Sequence, residues 1–366
     1  MTIAAMTIAE VQADHYRIPL PVTLSDSTHG EISHFELITL RLRDAEGAEG
    51  LGYTYTVGAG GAAVHAVLAR DLAPLLVGQE ADRIEALWER MWWGLHYVGR
   101  GGIASFAISA VDTALWDLKA RRQDTPLWRL LGGHDPKVQA YAGGIDLQFP
   151  LDRLLRQTRD NLDAGFRAIK MKVGRDRLRE DLARVAAMRD LLGAEVPLMV
   201  DANMRWNADQ AIRAARRLAE HDITWLEEPT IPDDIAGHVR ILREGGLPIA
   251  TGENLHTIYE FEHMIGAGGV SFPEPDLSNC GGVTVWLKVA RLAEAHNLPV
   301  TSHGVHDLHV QLLAAVPNKS YLEVHGFGLE RFIAEPLRIE DGCATAPERP
   351  GHGVELDWRA LESCRA

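Results

Sequence analysis

The chain has 366 residues, enough for about two domains of ~150 residues or for a barrel of ~250 residues. Apolar residues make up 46% and charged residues 24%, a globular composition that excludes disordered, collagen-like and coiled-coil architectures. Acidic residues number 51 against 37 basic ones, a formal net charge of −14 that disfavours nucleic-acid and anionic-membrane partners. A small anionic substrate stays open, because a local cation overrides a distant field.

Residues 1–4 recur as Met6-Thr7-Ile8-Ala9, so the first five read as an ambiguous, frayed start without the basic and apolar regions of a signal peptide. Residues 35–43 alternate partly and predict a strand; Asp44 to Gly47 make a turn, and 52–56 return as a second strand. Helical spacing follows over 62–75, 84–95 and 103–120, the last carrying Ala107, Ala110, Val111, Ala114, Leu115 and Leu118.

After about residue 135 short apolar strands alternate with amphipathic helices. Strands are expected at 138–143, 168–173, 197–201, 224–227, 247–252, 270–275, 299–302 and 321–324. Eight β/α units at this spacing predict an α/β fold, a modified (β/α)8 TIM barrel. The rival, a doubly wound sheet, lacks a glycine fingerprint after its first strand: Gly58-Ala59-Gly60-Gly61 and Gly99-Arg100-Gly101-Gly102 have the wrong spacing. The expected organisation is an α+β capping domain over 1–134, the barrel over 135–330, and a segment over 331–366 that returns to the cap. Three cysteines, Cys280, Cys343 and Cys364, match neither a disulfide framework nor a zinc motif and fit a reducing cytoplasm. No apolar run reaches the ~18 residues of a membrane helix.

Chemistry in such a barrel sits at the C-terminal ends of the strands. Those ends read Lys170-Met171-Lys172, Asp201-Ala202-Asn203, Glu227-Glu228-Pro229, Gly252-Glu253-Asn254, Glu274-Pro275-Asp276, Ser302-His303-Gly304 and Glu323. The two-residue period of a strand puts Lys170 and Lys172 on one face, and likewise Asp201 and Asn203. Charges pointing into a barrel must be paired, metal-bound or functional. Asp201, Glu227 and Glu253, on consecutive strands, form a hard oxygen set suited to Mg²⁺; singly, each could instead be a helix cap or a salt-bridged rim residue.

Lys172 is the candidate general base, with Lys170 as a neighbouring ammonium that depresses its pKa or meets a substrate carboxylate. The alternative is that both lysines only neutralise the nearby carboxylates. His303 with Asp276 reads as an oriented acid/base dyad from the opposite side of the barrel. His306 and His309 are expected in the loop and on the following helix. No His-x-His pair ends the first strand, and no HExxH, Walker A or GxSxG element occurs.

These residues resemble the enolase superfamily, specifically its mandelate racemase subgroup, along nearly the whole chain. The resemblance implies Mg²⁺ at Asp201, Glu227 and Glu253, and Lys172 and the His303–Asp276 pair as acid/base groups on two faces of the substrate. Lys170 and Glu323 would then flank the substrate carboxylate, with Asn203 near its α-oxygen. Glu274, on the face of Asp276, departs from the pattern as an additional carboxylate. Racemases and acid-sugar dehydratases share this set. The stretches Ser25-Asp26-Ser27-Thr28-His29 and Gly50-Leu51-Gly52-Tyr53-Thr54-Tyr55 look more like the dehydratases, with Ser25, Thr28, His29 and Tyr55 as substrate contacts.

The expected activity is Mg²⁺-dependent removal of the α-proton of a carboxylate through an enediolate, followed by loss of the β-hydroxyl from a sugar acid or diacid. A racemase or epimerase of a 2-hydroxy acid is the alternative, and a non-catalytic metal-stabilised binding protein belongs to a different class. The family habit and the tryptophans Trp88, Trp92 and Trp93 imply an even-numbered homo-oligomer, such as an octamer.

Overall fold

The structure is a computed structural model that describes residues 7–366; the repeated opening residues 1–5 lie outside the described residues. The cap is built on three antiparallel strands in the order β1 (Ile8–Asp26), β2 (Gly30–Asp44) and β3 (Glu49–Thr56). β2 alternates only partly because both of its faces are buried. Phe35 and Leu37 join the core shared with the barrel, whereas Ile38, Leu40 and Leu42 face the cap helices. β1 was not expected from the sequence. Pro19 and Pro21 interrupt its pattern, and its pairing with β2 shifts register between Pro19 and Leu24.

The helix Ile103–Arg122 lies across β3 and is buried on nearly every side, since it also meets the barrel helix Gly282–Ala295. Asp112 fastens the two, accepting from Thr284 N (2.8 Å) and Thr284 Oγ1 (2.6 Å). The helix predicted over 62–75 is broken into Gly61–Val67, a π-turn at Leu68–Leu72, and Ala73–Leu76. Pro74 has no amide hydrogen to continue the ladder, which accounts for the break.

The second unit is a curled parallel sheet. Its strands run β4 (Lys137–Gly143), β5 (Ile169–Lys172), β6 (Leu198–Asp201), β7 (Ile223–Glu227), β8 (Ile249–Thr251) and β9 (Phe272–Pro273), with β10 (Leu322–His325) paired back on β4. The strand expected at 299–302 makes only the bridge Val300–Lys319. Pro299 lacks an amide and Gly304 turns the chain at φ +74°, so little length remains for pairing. Thr301 N to Pro273 O (2.9 Å) and Ser320 N to Val300 O (2.8 Å) still close the ring. Its floor is a buried layer of Tyr141, Ala168, Met199, Trp225 and Ala250. After β10 the chain adds β11 (Ile339–Glu340) and β12 (Cys343–Thr345), the latter antiparallel to β4, before its end reaches the cap through Arg17 N to Cys364 O (2.7 Å).

Two glycines let the cap helix sit against β3. A Cβ on Gly52 would lie 2.0 Å from Ala110 O, and one on Gly50 would lie 2.2 Å from Ala114 O. Both obstacles are backbone atoms that cannot swing aside. Gly52→Ala is therefore expected to cost about 1–3 kcal/mol or more, as overpacking does, read as a lower urea midpoint with unchanged m-value.

Candidate active site

β6, β7 and β8 are adjacent; after a register shift between Leu198 and Val200, Asp201 pairs with Glu227, and the chain delivers Glu253 one strand further on. Asp201, Glu227 and Glu253 each offer a carboxylate oxygen, and these atoms lie within 4.8 Å of one another. All three side chains are buried, and Glu253 Oε2 has no hydrogen-bond partner among the described residues. The loops behind them are tightly held. Asn203 N donates to Asp201 Oδ1 (2.8 Å), and Met204 N donates to Glu228 O (2.7 Å). Asn203, Met204 and Glu228 all take left-handed φ values, +41°, +62° and +37°, a strained arrangement typical of a constrained functional site.

Lys170 is wedged between Glu227 and Glu323, with Nζ 2.7 Å from Glu323 Oε1, and lies 3.7 Å from Asp201. At 1% exposure it is a structural countercharge beneath the site rather than an open substrate contact. Lys172 hydrogen-bonds Asp201. Burial disfavours its charge, but Asp201, with smaller help from Glu253 and Glu227, outweighs both burial and Lys170 and holds its pKa above the ordinary lysine value. The expected depression by Lys170 is thus present but outcompeted. Opposite Lys172, His303 Nδ1 lies 3.0 Å from Asp276 Oδ2, and its Nε2 lies 3.3 Å from Glu253 Oε2 and 3.8 Å from Glu323 Oε2. Burial opposes the imidazolium, but Glu253, Glu323 and Asp276 raise its pKa to about 10, so it carries a proton at neutral pH.

The donor set fits a divalent cation on its charge as well. Burial, with the neighbouring carboxylates adding to it, raises Glu228 and Glu274 well above the usual carboxylate range. Asp201, Glu227, Glu253, Asp276 and Glu323 face Lys170, Lys172 and His303, all but His303 nearly inaccessible. Three carboxylates held this close and cut off from water repel one another, and a divalent cation such as Mg²⁺ relieves that repulsion.

The cap closes the site through the turn between β1 and β2. Ser27 Oγ donates to Ala202 O (2.7 Å), and Thr28 Oγ1 donates to Asn203 O. Ser25 is buried, its Oγ accepting from Gln148 N (3.1 Å). Ser25 and Thr28 thus help dock the cap on the barrel, and neither is among the residues that line the cavity. His29 does face the cavity: Asp26 Oδ2 holds its Nδ1 at 2.9 Å, which raises its pKa against burial. Tyr55 lines the same space, but its hydroxyl donates to Asp276 Oδ2 (3.1 Å). The cavity, about 410 Å³, runs from Glu253, Asp276 and His303 out to His29, Val57 and Phe106. Asn203 is buried beside Asp201 with its side-chain Oδ1 unpaired.

Sequence reasoning missed several supports. Asn279 Nδ2 donates to Glu253 O (2.6 Å), Asn254 Nδ2 bridges both Glu228 oxygens (2.9 and 3.0 Å), and His309 Nε2 accepts from Leu277 N (3.0 Å). Burial lowers the His309 pKa to about 4, the neutral form this acceptor needs. His309 was visible on its helix; nothing in the sequence marks Asn279.

Burial and the neighbouring carboxylates, working against Lys170, raise Glu227 to about 8. Mg²⁺ needs that group deprotonated, so its affinity should fall as pH drops below about 8, with protons released on binding. Calorimetry at pH 6 and pH 9 measures this. Glu227→Gln should abolish the rise in Tm that Mg²⁺ gives the wild type, a rise worth about 2.7 kcal/mol at a hundredfold excess over Kd.

Residues 6–132 match the mandelate racemase / muconate lactonizing enzyme N-terminal domain, and residues 153–360 match the enolase C-terminal domain-like family. The 3,6-anhydro-alpha-L-galactonate cycloisomerase of Streptomyces coelicolor is 59% identical over 97% of this chain and 98% of its own length. The L-talarate/galactarate dehydratase of Salmonella typhimurium is 36% identical over 94% of this chain and 87% of its own. Among solved structures, a protein described as a racemase from Streptomyces coelicolor A3(2) with bound magnesium superposes with a TM-score of 0.97 at 58% identity, covering 98% of this chain and 100% of that one. L-Talarate dehydratase from Polaromonas sp. JS666, complexed with Mg and L-glucarate, gives 0.93 at 35% identity, over 98% of this chain and 97% of the other. The chain belongs to the enolase superfamily, in its mandelate racemase and muconate lactonizing enzyme family, and is an enzyme whose cofactor is Mg²⁺.

Proposed function

We propose that this enzyme acts on a monocarboxylic acid sugar and opens the ring of a 3,6-anhydrohexonate by β-elimination, giving the open-chain 2-keto-3-deoxy acid. The cavity carries the reading: among its described lining residues there is no lysine or arginine, so a second substrate carboxylate at the cap end would meet His29, with Lys172 as the nearby cation already committed to the reacting carbon. Val57, Ala59, Val64, Ile103 and Phe106 make the rest of that end compact and apolar. A monoacid with its chain folded into a ring suits this wall better than an extended diacid. The Streptomyces cycloisomerase, similar along nearly its full length, points the same way.

Bound at the three carboxylates, Mg²⁺ would supply positive charge that offsets theirs at Lys172 and also the charge developing on the substrate carboxylate. Lys172 Nζ takes the proton from C2. The C–H electron pair is first held as an enediolate, which either regains a proton at C2 or forms the C2=C3 bond as the C3–O bond breaks; the departing ring oxygen then takes a proton from His303 Nε2 to become the C6 hydroxyl. The enol then gains a proton at C3 and loses one from its C2 hydroxyl. Atoms are conserved, so the product is an isomer of the substrate. With a free β-hydroxyl as leaving group the same steps release water, which is why dehydratases share these residues. The exposed Trp93, Tyr97 and Val98 on the cap support a homo-oligomer, and sedimentation tests that.

Proton NMR with 3,6-anhydro-L-galactonate, galactarate and mandelate in separate Mg²⁺ reactions tests the substrate. Ring opening of the first should dominate; faster loss of water from galactarate, or racemisation of mandelate alone, overturns the reading. His303→Asn should lower ring opening by about 10²–10⁴-fold, while Lys172-driven exchange of the C2 proton in deuterated water survives.

A further inference from the structure

Asp276 is a hub with every carboxylate oxygen occupied. Its Oδ1 accepts from Ser278 N (2.8 Å) and Ser278 Oγ (2.7 Å); its Oδ2 accepts from His303 Nδ1 (3.0 Å) and from Tyr55 Oη (3.1 Å). Three of these donors belong to the barrel. The fourth belongs to the cap, at the end of β3. Its neighbour Thr54 reaches the same barrel loop, donating to Ser278 O (2.6 Å).

The Tyr55 ring has no freedom to swing away. It is 7% exposed and meets Phe327 edge-on at 5.7 Å between centroids. The chain after His303 is shaped around the hydroxyl: a Cβ on Gly304 would fall 2.5 Å from Asp276 Oδ2 and 2.6 Å from Tyr55 Oη, at φ +74°. A hydroxyl placed this closely has its one proton committed to the carboxylate that holds His303.

We infer that Tyr55 is a positioning residue for the proton donor, fixing Asp276 and through it the His303 ring, so that the acid is aligned only when the cap is docked. The inference rests on the reading of His303 as the donor to the leaving oxygen. Abstraction of the C2 proton by Lys172 does not use this contact; breaking the C3–O bond does. The docked cap thereby readies the elimination step specifically.

Tyr55→Phe keeps the ring packing and removes the contact. With the full-length Mg²⁺ enzyme, kcat for elimination should fall about 10- to 100-fold, part of the roughly 10²–10⁴ that a positioned proton donor contributes, with KM and C2–H exchange in deuterated water unchanged. In a His303→Asn background the same substitution should cost nothing further, because the two act as one unit. Equal losses of exchange and elimination, or an additive double variant, would overturn the inference. A readout independent of substrate is the His303 Nδ1–H proton resonance, which should shift and broaden in Tyr55→Phe; an unmoved resonance also overturns it. Should the wild type turn over no acid sugar, the reading of the reaction fails, while the resonance still decides the role of Tyr55.

Discussion

Charge crowded into a space with almost no water is the constraint on which this structure depends. Asp201, Glu227, Glu253, Asp276 and Glu323 converge at the mouth of the barrel with Lys170, Lys172 and His303 among them. Each would be costly to bury alone. Lys170 answers part of that cost from below, between Glu227 and Glu323, and Trp225 Nε1 hydrogen-bonds the remaining Glu227 oxygen at 3.0 Å. The floor of aromatic rings beneath excludes water, which strengthens each of these interactions.

The same constraint separates the roles of the two acid/base groups. His303 sits against three carboxylates and is held protonated, the form that a donor requires. Lys172 faces Asp201, a carboxylate of the metal set, so its protonation is tied to what that carboxylate binds. Lys172 is thus coupled to the metal set through Asp201, and His303 to the cap through Asp276 and Tyr55.

The cap is more than a lid. Gly50 and Gly52 bring the helix Ile103–Arg122 down onto β3, and that helix is tied to the barrel through Asp112 and Thr284. β3 is thereby placed so that Thr54 and Tyr55 reach the 276–278 loop, while Ser27 and Thr28 reach the 202–203 loop. Hydroxyl groups that look in sequence like a polar wall for a polyol are mostly the fasteners of this joint. His29, steadied by Asp26, faces the cavity beside Tyr55 and Thr56.

The sequence by itself determined the alternation of strands and helices after residue 135 and the order in which Lys172, Asp201, Glu227, Glu253, Asp276, His303 and Glu323 arrive at strand ends. Period-two and helical patterns are local, and burial imprints them on the chain directly. Even locally it faltered where proline interferes, at β1 and at 299–302, because the tertiary contacts there override a weak pattern. Only the tertiary structure decided which polar side chains are spent within the protein. Ser25, Thr28 and Tyr55 bond to groups more than a hundred residues away, and Asn279 steadies the site from a position without a signature. Whether a hydroxyl meets substrate or another part of the protein depends on which distant backbone it meets first, and spacing along the chain carries no record of that.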